Sequence, residues 1–516
     1  MQYDHIILGA GSAGAILAGR LSEDPERSVL LIEAGPDYAN LAHLPEEVKL
    51  GYATGSDVIT SSHNWDYVAR GTASAPMIPI PRGKVTGGSS AINGQVCLRG
   101  VPEDYNLWAS KGNDEWEYER CVDSFTKLEA DLEFGDRPIH GSSGPIVIRR
   151  FKREEWDVAQ KAFHAACLDA GFADVADHND PNATGVGPIP LNNAGGIRLS
   201  TAMGYLNPAR HRLNLTVRAQ CTVTRLLFDG VRCTGAAVES GGERFTVHGN
   251  EVILSAGAVA SPHLLMVSGV GPRDHLEAFG ILLVRHVPGV GQNLRDHPML
   301  FVTWRTKPEH RLDAYAPRIQ VVLRWTAKDS PLWNDLMLFM SSFAPRRVGR
   351  RSDRMVPVGI RMHPVLDLAV SVGEVRLQSA DPAVQPLLDY RYFEHEFDRR
   401  RMREIVRLAV QLAEHADLRA LIAERIEPTD DELASDDGLD EFIQREVTTG
   451  HHSCGTCKMG PASDPLAVVD QRGKVHGLQN LRVVDASVMP DCIRANTNLT
   501  TMMIAERVAD FIRRGA

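Results

Sequence analysis

The chain has 516 residues, 43% hydrophobic and 24% charged, long enough for a large core and more than one globular unit. A net charge of −10, a pI near 6.0 and no extended basic tract give no electrostatic footprint for a nucleic-acid or anionic-membrane partner. No apolar run approaches the ~20 residues that cross a bilayer, and the first residues lack a basic leader and cleavage site, so a cytoplasmic location without a membrane span is expected.

The N-terminus reads as a dinucleotide-binding βαβ unit. His5-Ile6-Ile7-Leu8 is a short strand, GAGSAG (Gly9–Gly14) a glycine turn, and AILAGRL a helical run; SVLLIEAG follows as a second strand. Gly9, Gly11 and Gly14 permit the tight turn and close packing. The N–H groups near Ser12-Ala13 are free for a pyrophosphate, and Glu33, nineteen residues beyond Gly14, is placed to accept from ribose hydroxyls. An acidic residue there disfavours a 2′-phosphate. The motif alone does not separate NAD from FAD.

Further along lie PRGKVTGGSSAINGQV (81–96), a loop rich in small residues, and GAVASPHLLMVSGVG (257–271) behind the strand EVILSAG. PGVGQNLRDHP (288–298) is punctuated by Gly and Pro and reads as a crossing between domains. Residues 366–390 alternate as strands, and 397–426 read as helix with alternating charge. The basic run RRVGRRSDR (346–354) reads as a solvated loop or a lid edge. NLRVVDASVMP (480–490) places Asp485 and Ala486 at a strand end, and ANTNLTTMMIAERVADFI (495–512) is a capped terminal helix.

HHSCGTCKMG (451–460) packs two histidines and two cysteines together and admits three chemistries. A Cys454/Cys457 redox pair needs electrons from NAD(P)H, yet no second GxGxxG stands between a strand and a helix. A metal site normally draws ligands from two separated segments, and no partner pair is nearby, so no metal is expected. The third reading makes one histidine the catalyst. The remaining cysteines, Cys97, Cys121, Cys167, Cys221, Cys233 and Cys492, are scattered and read as free buried thiols.

Together these segments resemble the glucose–methanol–choline (GMC) oxidoreductases, particularly the bacterial choline, aryl-alcohol and hydroxymethylfurfural oxidases and dehydrogenases. Thr86, where an aliphatic residue is usual, is a mild departure. The resemblance implies an α/β protein, α+β overall, whose Rossmann-like FAD-binding domain (1–150, 205–300, 450–516) interleaves with a substrate-binding cap on an antiparallel sheet (151–204, 301–449). It implies that Ser12, Ala13, Glu33 and Ala34 hold the ADP half of FAD. Val85, Ser89, Asn93, Gly94, Gln95 and Val96 would line the pyrophosphate and flavin, and Val223 would meet the adenine. Asp485 and Ala486 would touch the pyrophosphate and ribityl chain, His451 the flavin edge, and Asn498, Leu499 and Thr500 the pyrimidine edge. Ile92 stands where covalent members carry a histidine, so dissociable FAD is expected.

The same resemblance makes His452 the catalytic base and Asn496 its partner, although either Asn496 or Asn498 can instead cap the last helix. The implied reaction is oxidation of an alcohol to an aldehyde or ketone, by proton removal and hydride transfer to flavin N5, with oxygen or a quinone-like molecule as acceptor. A neutral primary alcohol is the preferred substrate; Tyr315, Trp325, Trp333 and Phe343 are candidate pocket aromatics, although a core role is favoured for each. A hydroxynitrile lyase that uses FAD only structurally is the alternative, and a flavin/CxxC disulfide reductase a remote one.

Overall fold

In the computed structural model the described residues are 2–50, 61–310, 312–313, 316–347 and 355–515, with side chains described in 316–344 and from 358 onward. Tyr315 and the 348–354 part of the basic run lie outside them. Two large sheets organise the chain.

The first has seven strands, in the order Leu215–Arg218, Val29–Ile32, Gln2–Leu8, Glu243–Leu254, Arg232–Ser240 and Thr222–Asp229, with Leu481–Val483 paired to Glu243–Leu254. The runs HIIL and VLLI pair in parallel, Leu8 opposite both Ile32 and Leu254. Uninterrupted apolar strands of this kind suit a sheet covered on both faces, and Ile6, Ile7 and Val29 to Leu31 are fully buried. The parallel strands end at Leu8, Ile32, Leu254 and Val483, and those carboxyl ends open one crevice. Helix Gly14–Leu21 begins there, and the terminal helix Thr497–Arg513 packs on it.

The second sheet has eight antiparallel strands. Its main order is Ile422–Glu427, Val302–Thr306, Met355–Leu366, Leu336–Arg347, Val321–Trp325 and Gly185–Pro188, with Pro298–Met299 and Thr448–Thr449 at one corner. Helices Val158–Asp169 and Glu396–Leu412 pack against it. Within 336–344 and 358–366 side chains project to both faces of the strands, and Phe339, Ser341, Phe343, Arg361, His363 and Val365 all turn toward the first sheet.

The helix expected over 397–426 stops at Leu412; Ala416–Leu421 is a second short helix and Ile422–Glu427 a strand. That last segment is captured by pairing with Val302–Thr306, with an Arg305–Glu424 ion pair at 2.6 Å, so cross-strand partners override its alternating-charge pattern. Among the described residues no helix is long and apolar enough to cross a membrane.

Candidate active site

Between the two sheets lies a cavity of about 960 Å³, at the upper end of the range usual for ligand pockets. Its first wall is mostly backbone. Gly9 has φ +100°, and a Cβ there would stand 2.5 Å from the Ser255 carbonyl oxygen. Gly88, at φ +50°, brings the 81–96 loop so close that a Cβ would meet the Gly11 Cα at 2.6 Å. Only glycine allows that approach.

Carboxylates hold this wall in shape. Glu33 accepts from the Ala10 and Gly35 N–H groups, both at 2.9 Å, tying the first glycine turn to the end of the second strand. Burial pushes its pKa up to about 7, against the lowering effect of those N–H bonds. Asp485 accepts from the Gly257 N–H (2.9 Å) and the Ser261 hydroxyl (2.6 Å), which fixes the start of helix Gly257–Val267. The Ser12 hydroxyl donates to Asn498 at 2.7 Å and links the first helix to the last.

At the inner end, His452 Nε2 lies 2.9 Å from Asn496 Nδ2, and His452 Nδ1 lies 2.9 Å from Nδ1 of His297. Asn496 occupies the N-cap position of the terminal helix, but its side chain makes no capping bond and faces His452 instead. Asp296 accepts from the His452 backbone N–H at 2.7 Å and from Tyr392 at 2.7 Å, locking the loop that carries the ring. His297 Nε2 donates to the Ile493 carbonyl at 2.8 Å, and Asp367 Oδ1 stands 3.4 Å from His297 Nδ1. Burial, then the neighbouring His297, His451 and Arg82, hold His452 well below the ordinary imidazole range. Burial also opposes charge on His297, but Cys492, Asp367 and Asp296 outweigh it and raise its pKa to about 10.

Buried polar atoms of lining residues that have no partner within the protein include Oδ1 of Asn496, Nδ2 of Asn498, Oγ of Ser255 and Nε2 of His263. Gly94 and Gly257 look onto space with no protein atom within 4 Å of a built Cβ. A long cleft edged with free donors, acceptors and bare backbone fits a dinucleotide such as FAD.

Profiles described as GMC oxidoreductase match residues 3–299 and 369–505. The chain belongs to the GMC oxidoreductase family. Mitochondrial choline dehydrogenase of Mus musculus is 35% identical over 539 residues, which covers 99% of this chain and 89% of that one. Oxygen-dependent choline dehydrogenase 1 of Chromohalobacter salexigens is also 35% identical, over 99% and 95% of the two chains. Among solved structures, pyridoxine 4-oxidase from Mesorbium loti superposes with a TM-score of 0.90 at 28% identity, covering 99% of each chain. A formate oxidase does so at 0.88 and 25% identity, covering 100% of this chain and 98% of that one. As a GMC oxidoreductase the protein is an FAD-dependent enzyme of the CH–OH-oxidising class.

Of the positions singled out in this GMC sequence, Gly9, Gly11, Ser12, Ala13, Glu33, Ala34, Ser89, Asn93, Gly94, Val96, Val223, His451, His452, Asp485, Ala486, Asn496 and Asn498 line the cavity. Gly14, Val85, Gln95, Leu499 and Thr500 do not. Gly14 lies beneath the turn, where a Cβ would come within 1.9 Å of the Gly9 oxygen. Val85 packs in a small cluster with Val48, Ala91 and Ile92, and Gln95 turns away to receive a bond from Asn193 at 2.6 Å. The terminal helix starts at Thr497, so Thr497, Asn498 and Thr501 face the cavity while Leu499 is in the core and Thr500 pairs with Tyr105 at 2.7 Å.

Of the candidate pocket aromatics, only Phe343 lines the cavity among the described residues; Trp325 packs on Phe172 in the core, and Trp333 lies off the wall. Cys454 and Cys457 are buried, unpaired and away from the cavity wall. The residues that sequence reasoning missed are Asp296 and His297. In sequence, RDHP reads as punctuation between domains, although an Asp-His pair in a Gly/Pro loop is itself a signal for a titratable site.

Proposed function

We propose that the protein oxidises a small alcohol to the carbonyl compound, with His452 taking the hydroxyl proton and Asn496 holding the hydroxyl oxygen. The observation that carries this reading is the His297–His452–Asn496 chain at the inner end of the cavity, with two contacts of 2.9 Å.

The proton positions follow from the partners. His297 Nε2 faces a carbonyl and must carry hydrogen. When the pair is neutral, His452 donates from Nδ1 to His297, so His452 Nε2 keeps its lone pair beside the Asn496 amide N–H. A hydroxyl placed between the two presents its proton to Nε2 and its oxygen to that N–H. The proton taken at Nε2 is matched by a shift of the shared one to His297, where Asp367 and Asp296 stabilise it. The two histidines therefore titrate as one unit, and the base form grows as pH rises toward about 10.

FAD, when bound, supplies the acceptor for the hydride that leaves the alcohol carbon. Gly11, Ser12 and Ala13 at the first helix would hold its pyrophosphate, Glu33 its ribose, and Ser89, Asn93, Gly94, His451 and Asn498 its ring system. Ile92 lines the cavity and offers no nucleophile, which supports FAD held without a covalent bond. Electrons leave to oxygen or a quinone-like acceptor.

Anaerobic mixing of the holoenzyme with alcohols tests the reading. Bleaching of the oxidised flavin band is expected. Product formation with unchanged colour would instead make the protein a lyase.

A further inference from the structure

Resting on the oxidation proposed above, we infer that the substrate is an alcohol carrying a carboxylate remote from its hydroxyl, and that Arg361 selects it. The second-sheet wall presents Met299, Phe301, Phe339, Phe343, Ser341 and His363 together with two guanidinium groups, Arg361 and Arg318. Among the described residues the acidic side chains lining the cavity are Glu33, Glu47 and Asp485. The first and last are engaged by backbone N–H groups of the cofactor wall, and Glu47 sits 3.0 Å from His63. None belongs to the second sheet.

Arg361 is held in place for an anion. Its Nε donates to Thr303 at 2.8 Å, its guanidinium lies 4.1 Å from the centre of the Phe301 ring, and Glu427 stands behind it at 3.7 Å without lining the cavity. Beside it His363 Nε2 meets the Ser341 hydroxyl at 2.9 Å, a neutral pair available for a further hydrogen bond. Burial, then Arg361 and Arg318, keep His363 uncharged, well below the ordinary imidazole range.

A quaternary ammonium needs the opposite surroundings: open aromatic faces and a nearby carboxylate. Here Phe301 is already covered by Arg361, and Phe343 has Arg318 over it at 4.9 Å. A cationic substrate would meet fixed positive charge where it requires negative. The likeness to the choline dehydrogenases above thus does not carry their substrate to this cavity.

Stopped-flow reduction of the holoenzyme with 4-(hydroxymethyl)benzoate, benzyl alcohol and choline tests this. The carboxylate is expected to exceed the neutral alcohol in kcat/KM by roughly tenfold or more, as a charge-assisted contact would give, with choline the poorest. In Arg361→Gln that ratio should collapse toward one, and in Arg361→Lys, which keeps the charge, much of it should survive. Choline outperforming the carboxylate, a wild-type ratio of one or less, or an unchanged ratio in Arg361→Gln would overturn the inference. The wild-type comparison decides even if the variants fail to fold. If no alcohol bleaches the flavin, oxidation itself is wrong; if benzyl alcohol does and the carboxylate is no better, only the substrate class is.

Discussion

The two walls of the cavity are built on different terms. The first is backbone: glycine turns, helix starts, and the carboxylates of Glu33 and Asp485 directed onto N–H groups. The second is side chains, projecting alternately from antiparallel strands, with Arg361, His363, Phe339 and Phe343 setting its character. A backbone wall suits a fixed cofactor because it cannot change without breaking the turn. A side-chain wall leaves substrate choice to a few replaceable groups.

The strongest way to break this contrast is His452→Ala. The rate of flavin reduction by alcohol should fall by roughly 10²–10⁴-fold while FAD remains bound, since the base belongs to the chemistry and not to the cofactor wall. Reduction within a few-fold of wild type would remove His452 as the base. Asn496→Ala should cost roughly 10- to 100-fold in the same measurement, the loss expected for one hydrogen bond to a group gaining charge. An unaltered rate would make Asn496 a helix-start residue only.

Gly88→Ala acts on the other wall. Its Cβ would stand 2.6 Å from the Gly11 Cα, at a left-handed backbone position, for a strain of about 1–3 kcal/mol. The variant should lose FAD on gel filtration more readily than wild type; full retention would show that the loop and the glycine turn can separate freely.

The smallest effect is the most specific. With the histidine pair acting as one base, kcat/KM should climb from neutral pH toward about pH 10, because removal of one proton from the pair frees His452 Nε2. Asp367, whose own pKa burial raises to about 6, is ionised above that pH and favours charge on His297. Asp367→Asn should therefore move the rising limb downward by about one pH unit. A profile flat from neutral pH to about 10 in the wild type would uncouple the two rings.

The backbone wall was legible because its signals are local: strand, glycine turn, helix and Glu33 follow one another within one βαβ unit. Even there the details depended on packing. Thr500 and Leu499 turned inward because the helix begins at Thr497, a phase that no propensity rule sets. The proposed base unit was half legible. His452 and Asn496 stood out in their motifs, whereas His297, 155 residues from His452, entered only when Pro298–Met299 paired with Thr448–Thr449 and brought the two loops side by side.

The order of apolar strands and glycine turns was enough by itself to specify a dinucleotide-binding unit, since parallel strands and phosphate-binding turns are written in contiguous residues, and the resemblance of its motifs to the GMC oxidoreductases supplied FAD and alcohol oxidation. Tertiary structure alone decided which ring backs His452, which face of the last helix meets the cavity, and that Arg361 and Arg318 cover the aromatic rings of the substrate wall. Those relations join residues distant in the chain through strand register and side-chain alternation, and a linear pattern carries neither.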